Sequence, residues 1–322
     1  MATGIRIGPF EVGQKIGQGG FGQIFIVRNV NNGLIYALKI EDLNSKRKTL
    51  EFESIIYQKL QCCSFIPRFF GFGRTLSLSW MAIELMGPSL SSILNSLSSK
   101  RFSKKCAIKV SVHVLEALQN IHENGIVHRD IKPQNVLLRH SRQHPIAIID
   151  FGLSKVYIDE TTNSHHSPKP HPGFRGTTVY ASPNAHMNQD LSRRDDIISW
   201  FYLFIDILTG SLPWKSINDN SEMLHSKRRI NFESLVSEYA SQMQLIWENI
   251  SNMSFSETPN YGKIKSILES LPINEGENDD YDWHPTLFNM DVSSTPEFSG
   301  FVDTSNTFGS ETQKDTIIKC YI

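Results

Sequence analysis

Strand-like apolar segments crowd the first 85 residues of this 322-residue chain, and helical periodicity takes over after them. Residues 10–15 read as a strand running into Gly17-Gln18-Gly19-Gly20-Phe21-Gly22. Ile24, Phe25, Ile26 and Val27 then resume strand character, so the glycines mark a hairpin. A third strand covers 35–39. Residues 46–60 carry Leu50, Ile55, Ile56 and Leu60 with helical composition, and 68–73 and 79–85 return to strand. The pattern breaks at Glu84-Leu85-Met86-Gly87-Pro88. From 103 to 124, Val110, Val114, Ala117, Leu118 and Ile121 recur at helical spacing. The run 197–208 is largely apolar, interrupted by Ser199 and Asp206. It is shorter than the about 20 residues a bilayer span needs, so it reads as a buried central helix. Further helices are expected at 232–249 and 261–271, with Tyr281-Asp282-Trp283 near the end of the folded region.

With 39% hydrophobic residues in 322, the chain sits at the size where one core divides, and two lobes around a cleft are expected. Thirty-two basic and 33 acidic residues leave a net charge of -1, so no global field points to nucleic acid or a charged membrane as a partner. Substrate electrostatics must be local. Four cysteines, Cys62 and Cys63 adjacent and Cys106 and Cys320 alone, show neither zinc spacing nor a secreted disulfide pattern. Reduced thiols and a cytoplasmic or nuclear location are expected. The start, Met-Ala-Thr-Gly-Ile-Arg, has no apolar signal run and no glycine at position 2, and Cys320 is third from the end instead of fourth, so no lipid anchor is expected. Beyond about residue 288 the composition shifts to serine, threonine, glycine and scattered acids, which predicts a disordered tail.

The candidate chemistry is concentrated in two stretches. One reads Ile126-Val-His-Arg-Asp-Ile-Lys-Pro-Gln-Asn-Val-Leu-Leu138, and the other, a short hairpin later, Ile148-Ile149-Asp150-Phe151-Gly152. Together they supply a carboxylate, an ammonium, an amide and a second carboxylate, and in order and spacing they resemble eukaryotic protein kinases. The resemblance implies transfer of the γ-phosphoryl group of Mg-ATP to a protein hydroxyl. Asp130 then takes the catalytic-base position, Lys132 reaches the transferring phosphate, and Asn135 and Asp150 hold Mg²⁺. The spacing Asp-x-Lys-x-x-Asn favours a serine or threonine acceptor.

The same frame assigns the glycine hairpin to ATP. Gly17, Gly19 and Gly22 would lie over the phosphates with Phe21 at the tip, Ile16 and Gly20 would join the ATP contacts, and Lys39, 17 residues after Gly22, would contact the phosphates. Glu53 is the candidate to hold Lys39 by an ion pair, with Glu51 the fallback. Ile24 and Ala37 would sandwich the adenine, Ile83 would sit behind it, Leu137 would join them, and the backbone of Glu84 to Met86 would hydrogen-bond the base. His113 and His122 are read as structural, and His128 as a packed backbone anchor. Asp196 is expected to turn back and cap the 126–138 loop, and Thr177 to hydrogen-bond Asp130 and Lys132. The implied fold is α+β and two-lobed: a small N-lobe at 10–85 with an antiparallel sheet and one helix, a hinge at 84–88, and a larger, mostly helical C-lobe at 89–286. Residues 1–9 form an N-terminal extension and 287–322 the tail.

Gly173-Phe-Arg-Gly-Thr-Thr-Val-Tyr-Ala-Ser-Pro-Asn-Ala-His186, Arg193-Arg194-Asp195-Asp196 and Gly210-Ser-Leu-Pro-Trp214 narrow the likeness to the casein kinase I superfamily. Gly-Phe-Arg-Gly-Thr, Asn-Ala-His and Trp200-Phe201-Tyr202 look most like its tau-tubulin kinase branch. Ser182-Pro183-Asn184 replaces the Ala-Pro-Glu of most protein kinases. Casein kinase I members carry an arginine before the tyrosine of this segment, in a pocket that reads acidic or phosphorylated substrates; Val179 stands there. Lys227, Arg228, Arg229 and Arg175 are the candidates to supply that charge. The segment 150–184 carries His165, His166, Lys169, His171 and Arg175, which fits either a solvated, flexible loop or a docking surface. Arg129 leaves open a phosphate switch at Thr161, Thr162, Ser164 or Ser167. The expectation is a monomer acting on acidic or cytoskeletal proteins. A weakly catalytic scaffold or a tubulin-associated binding module is the alternative.

Overall fold

The computed structural model describes residues 5–283 except 20, 21, 46, 47, 140, 142, 160 and 274–279. Gly20 and Phe21 at the hairpin tip, and the tail, lie outside the described residues.

The first lobe is built on strands β1 (Arg6–Ile7), β2 (Phe10–Gly19), β3 (Gly22–Asn29), β4 (Ile35–Asp42), β5 (Phe69–Arg74) and β6 (Leu78–Ile83). Among the described residues they form one antiparallel sheet in the order β1-β2-β3-β4-β6-β5. β1 falls within the expected extension, where Ile7 joins Phe10, Val27, Tyr36, Leu38 and Ala82 in a small core. Alternation along β4 sends Tyr36 and Leu38 to that core and leaves Ala37 and Lys39 for the opposite face.

Helix α1 (Leu50–Lys59) covers the sheet and begins later than residue 46. Its start is fixed by the buried carboxylate of Glu41, which accepts from the backbone N–H of Thr49 at 2.9 Å and of Leu50 at 3.4 Å. A carboxylate suits the positive end of a helix. Of the expected apolar positions, Ile55 is exposed, and Glu53 and Tyr57 occupy the buried face. The helix is therefore rotated to present a carboxylate, not a methyl group, to the cleft.

The second lobe comprises α2 (Leu90–Ser96), α3 (Lys104–Glu123), the short strands β7 (Ile126–Val127), β8 (Val136–Leu138), β9 (Ile146–Ile148) and β10 (Lys155–Val156), and helices α4 (Pro183–His186), α5 (Arg193–Thr209), α6 (Asn220–Arg228), α7 (Phe232–Val236), α8 (Ala240–Ser251) and α9 (Tyr261–Glu269). In α3 the whole expected stripe is buried, and Ser103 caps the start by accepting from Cys106 N–H. α5 is buried from Asp195 to Leu208, as its apolar run predicts, and Trp200 satisfies its indole N–H on the Ser111 carbonyl at 2.8 Å. Two expectations need correction. Residues 232–249 form two helices separated by a tight 3₁₀ turn at Ser237–Tyr239, and the polar α6 was not foreseen because it has no apolar stripe.

Candidate active site

Asp196, at the start of α5, organises the loop that follows β7. Its carboxylate accepts from the backbone N–H of His128 and Arg129, each at 2.7 Å, and from His122 Nε2 at 2.9 Å. His122 is held in turn by the Tyr261 hydroxyl at 2.6 Å. Burial works against the Asp196 charge, yet these bonds and the two histidines keep its carboxyl below the usual range. His128 Nε2 reaches the Ile149 carbonyl at 3.0 Å, and its ring packs on Phe151, so it anchors one polar stretch to the other. Arg129 and Asp150 both adopt left-handed backbone, with φ of 69° and 68°. Such conformations cost a non-glycine residue roughly 1–2 kcal/mol and persist where surrounding bonds hold them.

Asp130 Oδ2 accepts from Lys132 Nζ at 2.6 Å, and Oδ1 accepts from the Thr177 hydroxyl at 2.8 Å. Lys132 Nζ also donates to Thr177 Oγ1 at 2.8 Å, which closes a three-membered ring of polar contacts. Gly176 makes this approach feasible: its φ is 95°, and a Cβ there would lie 2.8 Å from the Arg129 carbonyl oxygen. Asn135 spends its amide N–H on the Asp130 carbonyl at 2.9 Å, which leaves its amide oxygen as an uncommitted acceptor among the described residues.

Across the cleft, Lys39 Nζ meets Glu53 at 2.7 Å and Asp150 Oδ1 at 3.0 Å. Glu51, the fallback, instead meets Arg74 at the surface. Burial disfavours the Lys39 ammonium, but the two carboxylates more than offset that and hold its pKa above the usual range. Burial likewise opposes the Asp150 charge, and Lys39 brings its carboxyl below the usual range. No group of three or more His, Cys, Asp or Glu clusters as a metal cage among the described residues. Asn135 and Asp150 do offer oxygen donors, the kind Mg²⁺ takes when phosphates and water complete its shell.

Most of the described nucleotide candidates lie on neighbouring strands around Lys39. Gly17 pairs with Ile24 and Gly19 with Gly22 in the β2–β3 hairpin, while Ile24 pairs with Lys39 and Ala37 with Ile83. Gly22 is obligatory in this hairpin, since a Cβ would sit 2.2 Å from the Ile40 carbonyl oxygen. Ile16 is 45% exposed at the cleft-side strand, and Leu137 is half-buried in β8. The link between lobes needs one correction: Glu84 has already committed its N–H to the Arg68 carbonyl, and its side chain to Arg139 and Arg68 N–H. Its carbonyl, and the backbone groups of Leu85 and Met86, have no partner among the described residues and suit the edge of a planar base.

Three contacts were not anticipated. Arg139 ties the Glu84 carboxylate to the Ser64 and Ile66 carbonyls. The described stretches 157–159 and 161–166 pair with each other: His166 N–H bonds the Tyr157 carbonyl, Asp159 N–H bonds the Ser164 carbonyl, and His165 lies between Tyr157 and Phe255. Lys227, a candidate for reading substrate charge, is buried under the segment 178–186 and cannot present its charge to solvent.

A sheet lobe and a helical lobe, with this polar cluster between them, constitute the protein kinase fold. The sequence profile of the protein kinase domain matches residues 10–287, and the chain belongs to that family. A probable serine/threonine-protein kinase of Dictyostelium discoideum is 33% identical over 280 residues, covering 86% of this chain and 56% of that protein. The chain thus spans little more than half the length of that relative. No helix among the described residues is long and apolar enough to cross a membrane.

Proposed function

We propose that the chain is an active serine/threonine protein kinase. The observation that carries this reading is the convergence of Asp130, Lys132 and Thr177 on one side of the cleft with Lys39, Glu53 and Asp150 on the other. Asp130 accepts the proton of the acceptor hydroxyl, and Lys132 supplies positive charge beside it. Lys39, held by Glu53, meets the phosphates, and Asn135 and Asp150 are the Mg²⁺ ligands. Bound Mg-ATP supplies the phosphoryl group and neutralises charge as it transfers. Ile16, Ile24, Ala37, Ile83 and Leu137 cover the faces of the base, and the backbone from Glu84 to Met86 reads its edge. Gly17, Gly19, Gly20, Phe21 and Gly22 close over the phosphates.

The casein kinase I likeness, and the tau-tubulin branch within it, rests on the sequence motifs around residues 173–214. Acidic, primed or cytoskeletal substrates follow from it. With Lys227 buried, that preference falls to the exposed Arg175, Arg228 and Arg229. A monomer in cytoplasm or nucleus remains the working picture. The test is transfer of labelled phosphate from Mg-ATP to casein and to tubulin by the unmodified chain and by Asp150→Asn. Label that requires Asp150 supports the kinase. Intact ATP binding with no label on either protein or on the chain itself favours a scaffold.

A further inference from the structure

Most buried lysines sit beside a carboxylate, and Lys227 does not. It lies on α6 at 0% exposure, with no acidic side chain in ion-pair range among the described residues. Its Nζ donates to the Thr178 carbonyl at 2.6 Å and the Ala181 carbonyl at 2.7 Å, and stands 3.0 Å from His186 Nε2. The rings of Tyr202 and Trp214 flank it at 5.3 and 5.6 Å, a distance at which aromatic faces stabilise a cation. Burial pushes its pKa down to about 7.

The partners lie directly after Thr177, whose hydroxyl bonds Asp130 and Lys132. Several of the residues that follow are fastened to the second lobe. Trp214 donates its indole N–H to the Val179 carbonyl at 2.8 Å, and the Tyr180 hydroxyl donates to Asp206 at 2.6 Å. Ser182 and Asn184 both donate to Asp195 Oδ1, at 2.6 and 2.9 Å. Lys227 alone among these groups holds two carbonyls of the turn, three residues apart. The turn has two backbone bonds of its own, from the Tyr180 and Ala181 N–H groups to the Thr177 carbonyl, and a buried donor that takes the Thr178 and Ala181 carbonyls ties that turn to α6 and fixes its path beside Asp130.

We propose that Lys227 is a positioning residue for the protein substrate: it holds residues 178–181 in the path that sets the acceptor hydroxyl against Asp130. This rests on the kinase reading.

The test uses the full chain with Mg-ATP and a serine peptide derived from casein. Lys227→Met keeps the length and ring packing and removes the donors. It should raise the peptide KM or lower peptide kcat/KM by about tenfold, with the ATP KM within about twofold of the unmodified protein. Lys227→Arg, which keeps charge and donors, should restore most of the peptide turnover. Unchanged peptide kinetics in Lys227→Met would overturn the proposal, as would parallel loss of ATP binding and thermal stability, or equal loss in both variants. If the unmodified chain transfers no phosphate while binding ATP, the kinase reading itself has failed, and the proposal falls with it.

Discussion

Lys39 and Lys227 are both buried lysines, one in each lobe, and their surroundings are opposites. Lys39 stands between two carboxylates, which raise its pKa, whereas Lys227 faces two carbonyls, a histidine and two rings, and its pKa falls to about 7. A lysine with carboxylate partners stays charged and can exchange one of them for a phosphate. A lysine bound to carbonyls has nothing to exchange and acts as a fastener. Residue type and burial are the same, so the partners decide the role.

The comparison can be broken most sharply by rate. Lys39→Met should lower phosphate transfer by about 10² to 10³, the usual loss for one preorganised electrostatic donor, and should impair use of ATP. Lys227→Met should instead show in the peptide. If both variants damaged the same constant, the distinction would dissolve.

Next in size is the pH dependence of stability. With a folded pKa of about 7 against an unfolded value near 10.4, Lys227 binds its proton better in the unfolded chain between those values. The unmodified protein should therefore gain stability over Lys227→Met as pH rises from about 7 to 9, by up to about 1.4 kcal/mol per unit. Lys39 has the opposite sign. Its contribution is complete below about 10.4 and is lost only as pH rises through its elevated folded pKa, so Lys39→Met should add no slope in that range. Denaturant midpoints at pH 7, 8 and 9 would read both. A flat difference for Lys227→Met would mean that its ammonium is as well solvated as an exposed one.

The smallest effect belongs to Trp214→Phe, which keeps a ring beside Lys227 and deletes the donor to Val179. It should cost about 0.5–1.5 kcal/mol, the worth of one hydrogen bond, and shift the peptide KM a few-fold in the same direction as Lys227→Met. A shift in the ATP KM instead would place this contact outside the fastening of residues 178–181.

The two lysines also mark where sequence reading succeeds. Asp130, Lys132 and Asn135 lie within one short loop, and Asp150 follows a hairpin later, so local spacing already sets their relative placement. The bonds from Asp196 to the His128 and Arg129 amides and from Thr177 to Asp130 were also legible. Glu53 and Glu51 could not be separated by composition. Rotation of α1 on the sheet separates them, burying the first against Lys39 and sending the second to Arg74. Lys227 was misread because Ser226-Lys227-Arg228-Arg229 looks like any solvated basic run.

By itself the sequence carried the motifs that mark the family, most strands of the first lobe and the long apolar helices α3 and α5, and the polar residues whose spacing is local. Hydrophobic period and turn residues act over a few positions and suffice for those elements, while the family rests on the resemblance of the 126–138 and 148–152 motifs. Tertiary structure alone decided that α1 is rotated to send Glu51 to Arg74, that Glu41 caps α1, and that Lys227 lies beneath the 178–186 segment. Those outcomes depend on burial and on partners distant in the chain: 49 residues separate Lys227 from Thr178, and 111 separate Lys39 from Asp150. Whether a charge finds water, a carboxylate or a carbonyl is settled only when such elements pack.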